Sequence, residues 1–195
     1  MPRDKVLCGK KEIITVAARI VDTEGIAALS IRKIANELGV SPMTLYNYVD
    51  NLQEIKKHVL TGGFDHLYDS IYQALNKFEP PVDQFTFCKT LAKQIFSFAA
   101  ENPNTFSFMQ TEGRQQFSDD AEIRPFYSFI SKLTKRAKAT QETYVQNENC
   151  YKLLDIVTFS LALQRSSGIS SITEDEYDEL IEFFLKKCLI IEKNY

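Results

Sequence analysis

SIRKIANELGVSPMTLYNY, residues 30–48, spells out two short helices joined by a tight turn. The hydroxyl of Ser30 is placed to accept the free N–H groups of a first helical turn. Ile31, Ile34, Ala35 and Leu38 fall on one face of the helix that follows. Gly39 ends that helix, because glycine tolerates the left-handed backbone that a helix C-terminus commonly needs. Ala35 is small enough to let a second helix cross closely, and Val40 plugs the corner between the two.

The second helix restarts at Ser41-Pro42, a serine cap followed by a proline whose missing N–H costs nothing at the first helical position. Its inward residues are Leu45 and Val49, which leaves Met43, Thr44, Tyr46, Asn47 and Tyr48 facing outward. Such a face suits a major groove better than a core. An Asn amide can pair with adenine, a Thr can touch a thymine methyl or a phosphate, and Tyr hydroxyls can bond phosphate oxygens. The spacing of Ala35, Gly39 and the apolar positions is that of a DNA-binding helix-turn-helix. The competing reading is an ordinary helical hairpin with exposed tyrosines.

On these residues the chain resembles the tetracycline-repressor (TetR) family of bacterial transcription regulators, over about residues 10–57. The family's first helix is similar to KKEIITVAARIVDTEG, in which Ile14, Ala17, Ala18 and Val21 are expected to form the buried stripe and Gly25 the stop. SPMTLYNYV matches the family's recognition-helix pattern, and Asn51 with Glu54 forms a capping box at the start of a fourth helix. Leu52 stands where the family tends to have a lysine, which removes one expected phosphate contact and leaves the N-terminal amides of that helix in its place. The resemblance implies base contacts by Thr44 and Asn47, an apolar groove contact by Met43, and phosphate contacts by Tyr46 and Tyr48. Arg32 and Ser41 are further phosphate candidates. The tyrosines could instead pack their rings on the domain's own surface, and Arg32 could be a solvated charge.

Charge is divided along the chain. Met1 to Leu60 holds nine Lys or Arg against seven Asp or Glu, and the remainder holds fourteen against nineteen. A weakly basic head on an acidic body agrees with nucleic-acid contact confined to the head. So small an excess predicts weak binding by one head, which two linked heads would overcome.

The body reads as helices throughout. Leu52, Ile55, Val59, Phe64, Leu67, Ile71 and Leu75 recur at helical intervals in a long fourth helix, interrupted by Gly62-Gly63. The glycine pair is either a hinge between head and body or a site of close packing against a neighbouring helix. Pro80-Pro81 precedes a helix ending at Asn102-Pro103, followed by a shorter piece ending near Gly113, an acidic start at Ser118–Glu122 and a helix with basic residues toward its end. Two last helices, about 147–167 and from the capping box Thr173–Glu176 onward, carry too many apolar residues for one face each. Such helices can bury one face in their own body and the other on a second copy, and TetR-like proteins dimerise through their last two long helices.

Twelve of the fourteen phenylalanines lie between Phe85 and Phe184, most of them expected in the core. The resemblance implies a cavity for a small-molecule effector among these helices, with Phe96, Phe106, Gln110, Tyr127, Tyr151 and Gln164 as candidate liners and Gln94 and Arg165 as further polar candidates. The aromatic content points to an apolar or aromatic ligand.

Cys8, Cys88, Cys150 and Cys188 form no paired motif and read as reduced thiols. His58 and His66 are about two helical turns apart, too far to share a metal ion. No cofactor is expected. No apolar run reaches membrane-spanning length, and MPRDKVLCGKK lacks the apolar core of a signal peptide, so a location in the bacterial cytoplasm is expected. With seven glycines and no phosphate loop, nucleophile elbow or H-E-x-x-H motif, the sequence offers no catalytic constellation. The expectation is an all-α protein of about nine helices. Residues 1–58 form a three-helix helix-turn-helix domain, and residues 59–195 a helical regulatory and dimerisation domain. The expected function is that of a homodimeric, ligand-responsive repressor on a palindromic operator. The alternative is a regulator that keeps the fold but works through protein contacts.

Overall fold

The structure, a computed structural model, describes residues 9–79, 82–124 and 148–190, and for 148–151 and 188–190 the helical backbone alone. All regular elements among them are helical. They are α1 (Lys10–Glu24), a 3-10 turn (Ile26–Ala28), α2 (Ile31–Leu38), α3 (Pro42–Leu45) and α4 (Leu52–Leu75). There follow α5 (Gln84–Glu101), α6 (Pro103–Gln110), α7 (Glu112–Phe117), α8 (Glu148–Ser166) and α9 (Glu174–Ile190). The Pro80-Pro81 pair and the basic helix expected after Glu122 lie outside the described residues, apart from the latter's first two residues, Ile123 and Arg124.

The head is α1 to α3 closed against the first turns of α4. Ser30 Oγ accepts the N–H of Lys33 at 3.2 Å, and Gly39 takes the left-handed conformation, φ 66°, as expected of the cap and stop of α2. Ile34, Ala35, Leu45 and Val49 are buried, with Ile31, Leu38 and Val40 packed around them. In α1 the stripe is turned from its expected phase. Ile13, Ala17, Ile20 and Val21 are the buried set, while Ile14 and Ala18 are half-buried on the flank that faces α4 and α6. α1 packs against α2, α4 and α6 together, so its apolar arc is wider than one stripe.

α4 runs unbroken through Gly62-Gly63. The two glycines differ: a Cβ on Gly63 would lie 2.9 Å from Met109 Sδ and 3.1 Å from Thr105 Cγ2, whereas one on Gly62 would meet nothing within 4 Å. Gly63 is therefore where α6 crosses α4 closely. Gly113 does not end a helix. It is buried inside α7, where a Cβ would meet Leu60 and the Phe108 carbonyl oxygen at 2.9 Å, so its missing side chain brings α7 onto α4.

α5 is the axis of the body, touching α4, α6, α8 and α9. Asp83 caps it by accepting the Thr86 N–H at 3.0 Å, and Pro103 begins α6 where α5 stops. Phe96 stacks flat on Tyr177 of α9 at 3.9 Å between ring centroids, and the Tyr177 hydroxyl donates to the Ala92 carbonyl. Thr173 and Glu176 form the expected reciprocal capping box of α9, with bonds of 3.2 and 2.8 Å.

Candidate nucleic-acid interface

The second helix of the motif is shorter than its sequence pattern. Only Pro42–Leu45 is regular α-helix. Tyr46 to Tyr48 continue as tighter turns in which Asn47 donates to the Thr44 carbonyl and Tyr48 to that of Leu45. Val49 is anchored in the core at 3% exposure, and Asn51 swings into extended backbone to cap α4, which leaves the chain no length for another full turn. Asn51 Oδ1 accepts the Glu54 N–H at 3.0 Å. The returning arm of Glu54 reaches the N–H of Asp50 instead of that of the cap residue.

This turn holds the outward residues apart from the core. Met43 is 73% exposed, Tyr46 49% and Tyr48 42%, and Asn47, Ser41 and Arg32 are exposed as well. Thr44 is half-buried, its hydroxyl 2.9 Å from that of Ser41, so this pair stiffens the start of α3. Leu52 is half-buried against the core.

Electrostatics change the expectation drawn from the charge count. Lys10 pairs with Glu54, Arg19 with Glu37 and Lys33 with Glu24, so three of the head's cations are spent on folding it. Lys56 pairs with Glu112 of α7 at 2.5 Å, and Lys57 with Asp120 and Glu122 at 2.9 and 2.6 Å, spending two more on docking the head to the body. Among the described residues of the head, Arg32 and Lys11 have no carboxylate partner. Lys10 and the Asp50 N–H hold Glu54 below the usual carboxylate range, which keeps the α1–α4 pair charged. The docking pairs were not foreseen, since Lys56 and Glu112 are brought together only by the packing of α7 on α4.

The same junction carries Asn104 and Thr105 of α6, which donate to the backbone oxygen and carboxylate of Asp22 at the end of α1. Beside them a cleft of about 420 Å³ opens along the bare side of Gly62, flanked by His58 and His66. The two imidazoles do not converge: His58 lies 3.8 Å from Glu54, and His66 sets its edge against Phe98.

Residues 13–54 match the family described as bacterial regulatory proteins, tetR family. That match covers the head. Among curated relatives, the uncharacterised helix-turn-helix regulator YobS of Bacillus subtilis is 28% identical over 97 residues, covering 50% of this chain and 49% of its own. A second such regulator, from Haemophilus influenzae, is 26% identical over 110 residues, 56% and 57% of the two chains. The matches thus span about half the length of these relatives. A TetR-like regulator from Rhodococcus sp. RHA1 shares the fold along 97% of this chain and 98% of its own, with a TM-score of 0.67 at 15% identity. The TetR-like fold therefore extends along nearly the whole chain, beyond the half that the curated relatives match in sequence. No helix among the described residues is long and apolar enough to cross a membrane.

The candidate effector liners that the structure describes lie in different surroundings. Phe96 and Phe106 are fully buried and committed to ring stacks with Tyr177 and Phe159. Gln110 is half-buried at the end of α6, and Gln164 is exposed on α8. Tyr127 and the side chain of Tyr151 lie outside the described residues. Cys88 is buried, and burial pushes its thiol up to about 12, which makes it an unreactive core group.

Proposed function

We propose that this chain is a DNA-binding transcriptional regulator of the bacterial cytoplasm, a non-enzymatic repressor that grips a palindromic operator as a homodimer and is controlled by a small-molecule effector in its body. The observation that carries the reading is the pairing of Leu45 and Val49, sunk in the core, with Met43, Asn47, Tyr46 and Tyr48 held out on a capped turn. In this reading Asn47 and the methyl of Thr44 read bases, Met43 packs in the groove, and Tyr46, Tyr48, Ser41 and Arg32 hold phosphates. The head is residues 1–58 and the regulatory domain residues 59–195, with α4 shared between them.

Dimerisation is supported by α8 and α9. Each buries one face against α5 through Leu154, Ala162, Ile181 and Leu185, and each leaves large apolar residues outside: Leu153 and Ile156 on α8, and Leu180 and Phe183 on α9. Two copies joined there would present two heads to successive major grooves, about 34–36 Å apart. The ion pairs of Lys56 and Lys57 with α7 and the turn after it supply a route by which a shift in the body would tilt the head. A second reading, a regulator acting through protein contacts, is favoured by the engagement of most head cations in internal ion pairs and by Leu52.

Native mass spectrometry combined with footprinting on DNA flanking the protein's own gene tests the proposal. A dimer protecting a palindrome is the expected result. A monomer, or a dimer that protects no site at low salt, would favour the protein-contact reading.

A further inference from the structure

One face of α5 forms a groove of about 380 Å³ with the last turn of α4 and the residues after it. Its floor is apolar: Ala74, the half-buried Phe85, and Phe78, which is 42% exposed. Three ammonium groups stand around that floor, those of Lys77, Lys89 and Lys93. Thr86 and Thr90 line the α5 side one turn apart, the Thr86 hydroxyl donating to the Asp83 carboxylate at 2.6 Å. From Phe85 to Lys93 the stripe is about 12 Å long, and the volume lies within the range of small-ligand sites, about 300–1,000 Å³.

Two of the three lysines are held by ion pairs, and both keep donors to spare. Lys89 is held by Glu182 at 2.5 Å and Lys93 by Asp178 at 2.8 Å, both on α9. An ammonium has three donors, so each keeps N–H groups to offer after its ion pair is made. Lys77 is exposed and has no carboxylate partner among the described residues. Glu182 and Asp178 offset two of these charges, with Glu174 and Asp175 also near Lys93, so the attraction for a negative head over the apolar floor rests on Lys77 and on the spare donors of Lys89 and Lys93.

We propose that this groove binds a small amphipathic anion, a carboxylate carried on an apolar chain. The apolar tail lies over Phe78, Phe85 and Ala74, and the carboxylate is met by Lys77 and the spare donors of Lys89 and Lys93. Because Lys89 and Lys93 also tether α9, occupancy is linked to the helix that exposes Leu180 and Phe183. The site deepens the effector part of the proposed function, and rests on it for its consequence but not for its binding.

Isothermal titration of the full chain with sodium decanoate tests the site, with decyltrimethylammonium as a tail of opposite charge and inorganic phosphate as a charge without a tail. Saturable binding of decanoate, with both comparators weaker by about tenfold or more, is expected. Lys77→Gln, a change at an exposed position beyond the end of α4, should weaken decanoate binding by about tenfold with the circular dichroism spectrum unchanged. Phe78→Ser should weaken it similarly. Absence of saturable decanoate binding, equal binding of the alkylammonium, or an unchanged affinity in Lys77→Gln would each overturn the proposal. Operator binding is measured separately without decanoate. Its loss counts against the regulator and leaves the groove standing, whereas intact operator binding without decanoate binding removes the groove alone.

Discussion

The head and the body solve the same problem, packing helices around an apolar core, with different means. In the head the decisive contacts are local: a serine cap at each of α2 and α3, a left-handed Gly39 between them, and a handful of aliphatic residues that fit a close crossing at Ala35. In the body one helix, α5, collects everything around it, and large rings do the filling, with Phe96 on Tyr177 and Phe106 on Phe159 pairing residues far apart in sequence. A helix-turn-helix can thus be described by spacing, while the body depends on which distant faces meet. The junction between them is of a third kind, made of ion pairs and short polar contacts around two crossing glycines.

The largest effect expected from this contrast is in the head, where few side chains carry the core. Leu45→Ala removes a fully buried side chain and should cost about 2–5 kcal/mol, with hydrogen exchange showing the loss in α1–α3 while the α5–α9 amides keep their protection. Equal loss in both regions would mean that head and body form one cooperative unit. At the junction, Gly63→Ala should be less stable than Gly62→Ala by about 1–3 kcal/mol in urea unfolding, because only the former forces a methyl against Met109 and Thr105. Equal stabilities would remove close packing as the reason for Gly63. If Gly62 is a hinge, Gly62→Ala should also blunt effector control of operator binding while leaving unliganded affinity intact.

Asn47→Ala probes the surface alone. It should leave the melting temperature within error and weaken operator binding by about 1–3 kcal/mol; unchanged affinity would take Asn47 off the reading face. The smallest effect is that of acid. Lys186 and Lys89 hold Glu182 down to about 2, and Lys10 with the Asp50 N–H lowers Glu54. A carboxylate depressed on folding adds stability above its ordinary value of 4.5 and loses it as the pH falls through the folded value. Both the α5–α9 and α1–α4 links should therefore weaken progressively below about pH 4.5. Glu182→Gln should flatten the body's share of that loss, and Glu54→Gln the head's.

What could be read in advance divides along the same line. The caps Ser30, Ser41, Asn51 and Thr173 and the stop at Gly39 were legible because each depends on residues within four positions of itself. The phase of the α1 stripe was displaced because Ile14 and Ala18 face a second neighbour, α6, that lies eighty residues downstream. Gly113 looked like a terminator because a glycine's need for space under Leu60 leaves no trace in the local pattern. Phe96 and Phe106 look the same in sequence whether they line a cavity or close one, because only the fold brings Tyr177 and Phe159 onto their rings.

By itself the sequence determined the helical class, the helix-turn-helix with its outward Met43, Tyr46, Asn47 and Tyr48, and the two-faced last helices, since periodicity and capping are properties of neighbouring residues. Tertiary structure alone decided how short α3 is, which cations remain for a partner once Glu54, Glu37, Glu24, Glu112, Asp120 and Glu122 have claimed theirs, and where lysines ring an apolar groove. Those outcomes rest on Coulomb attraction and packing between groups distant in the chain. Such distances exist only after the fold has closed.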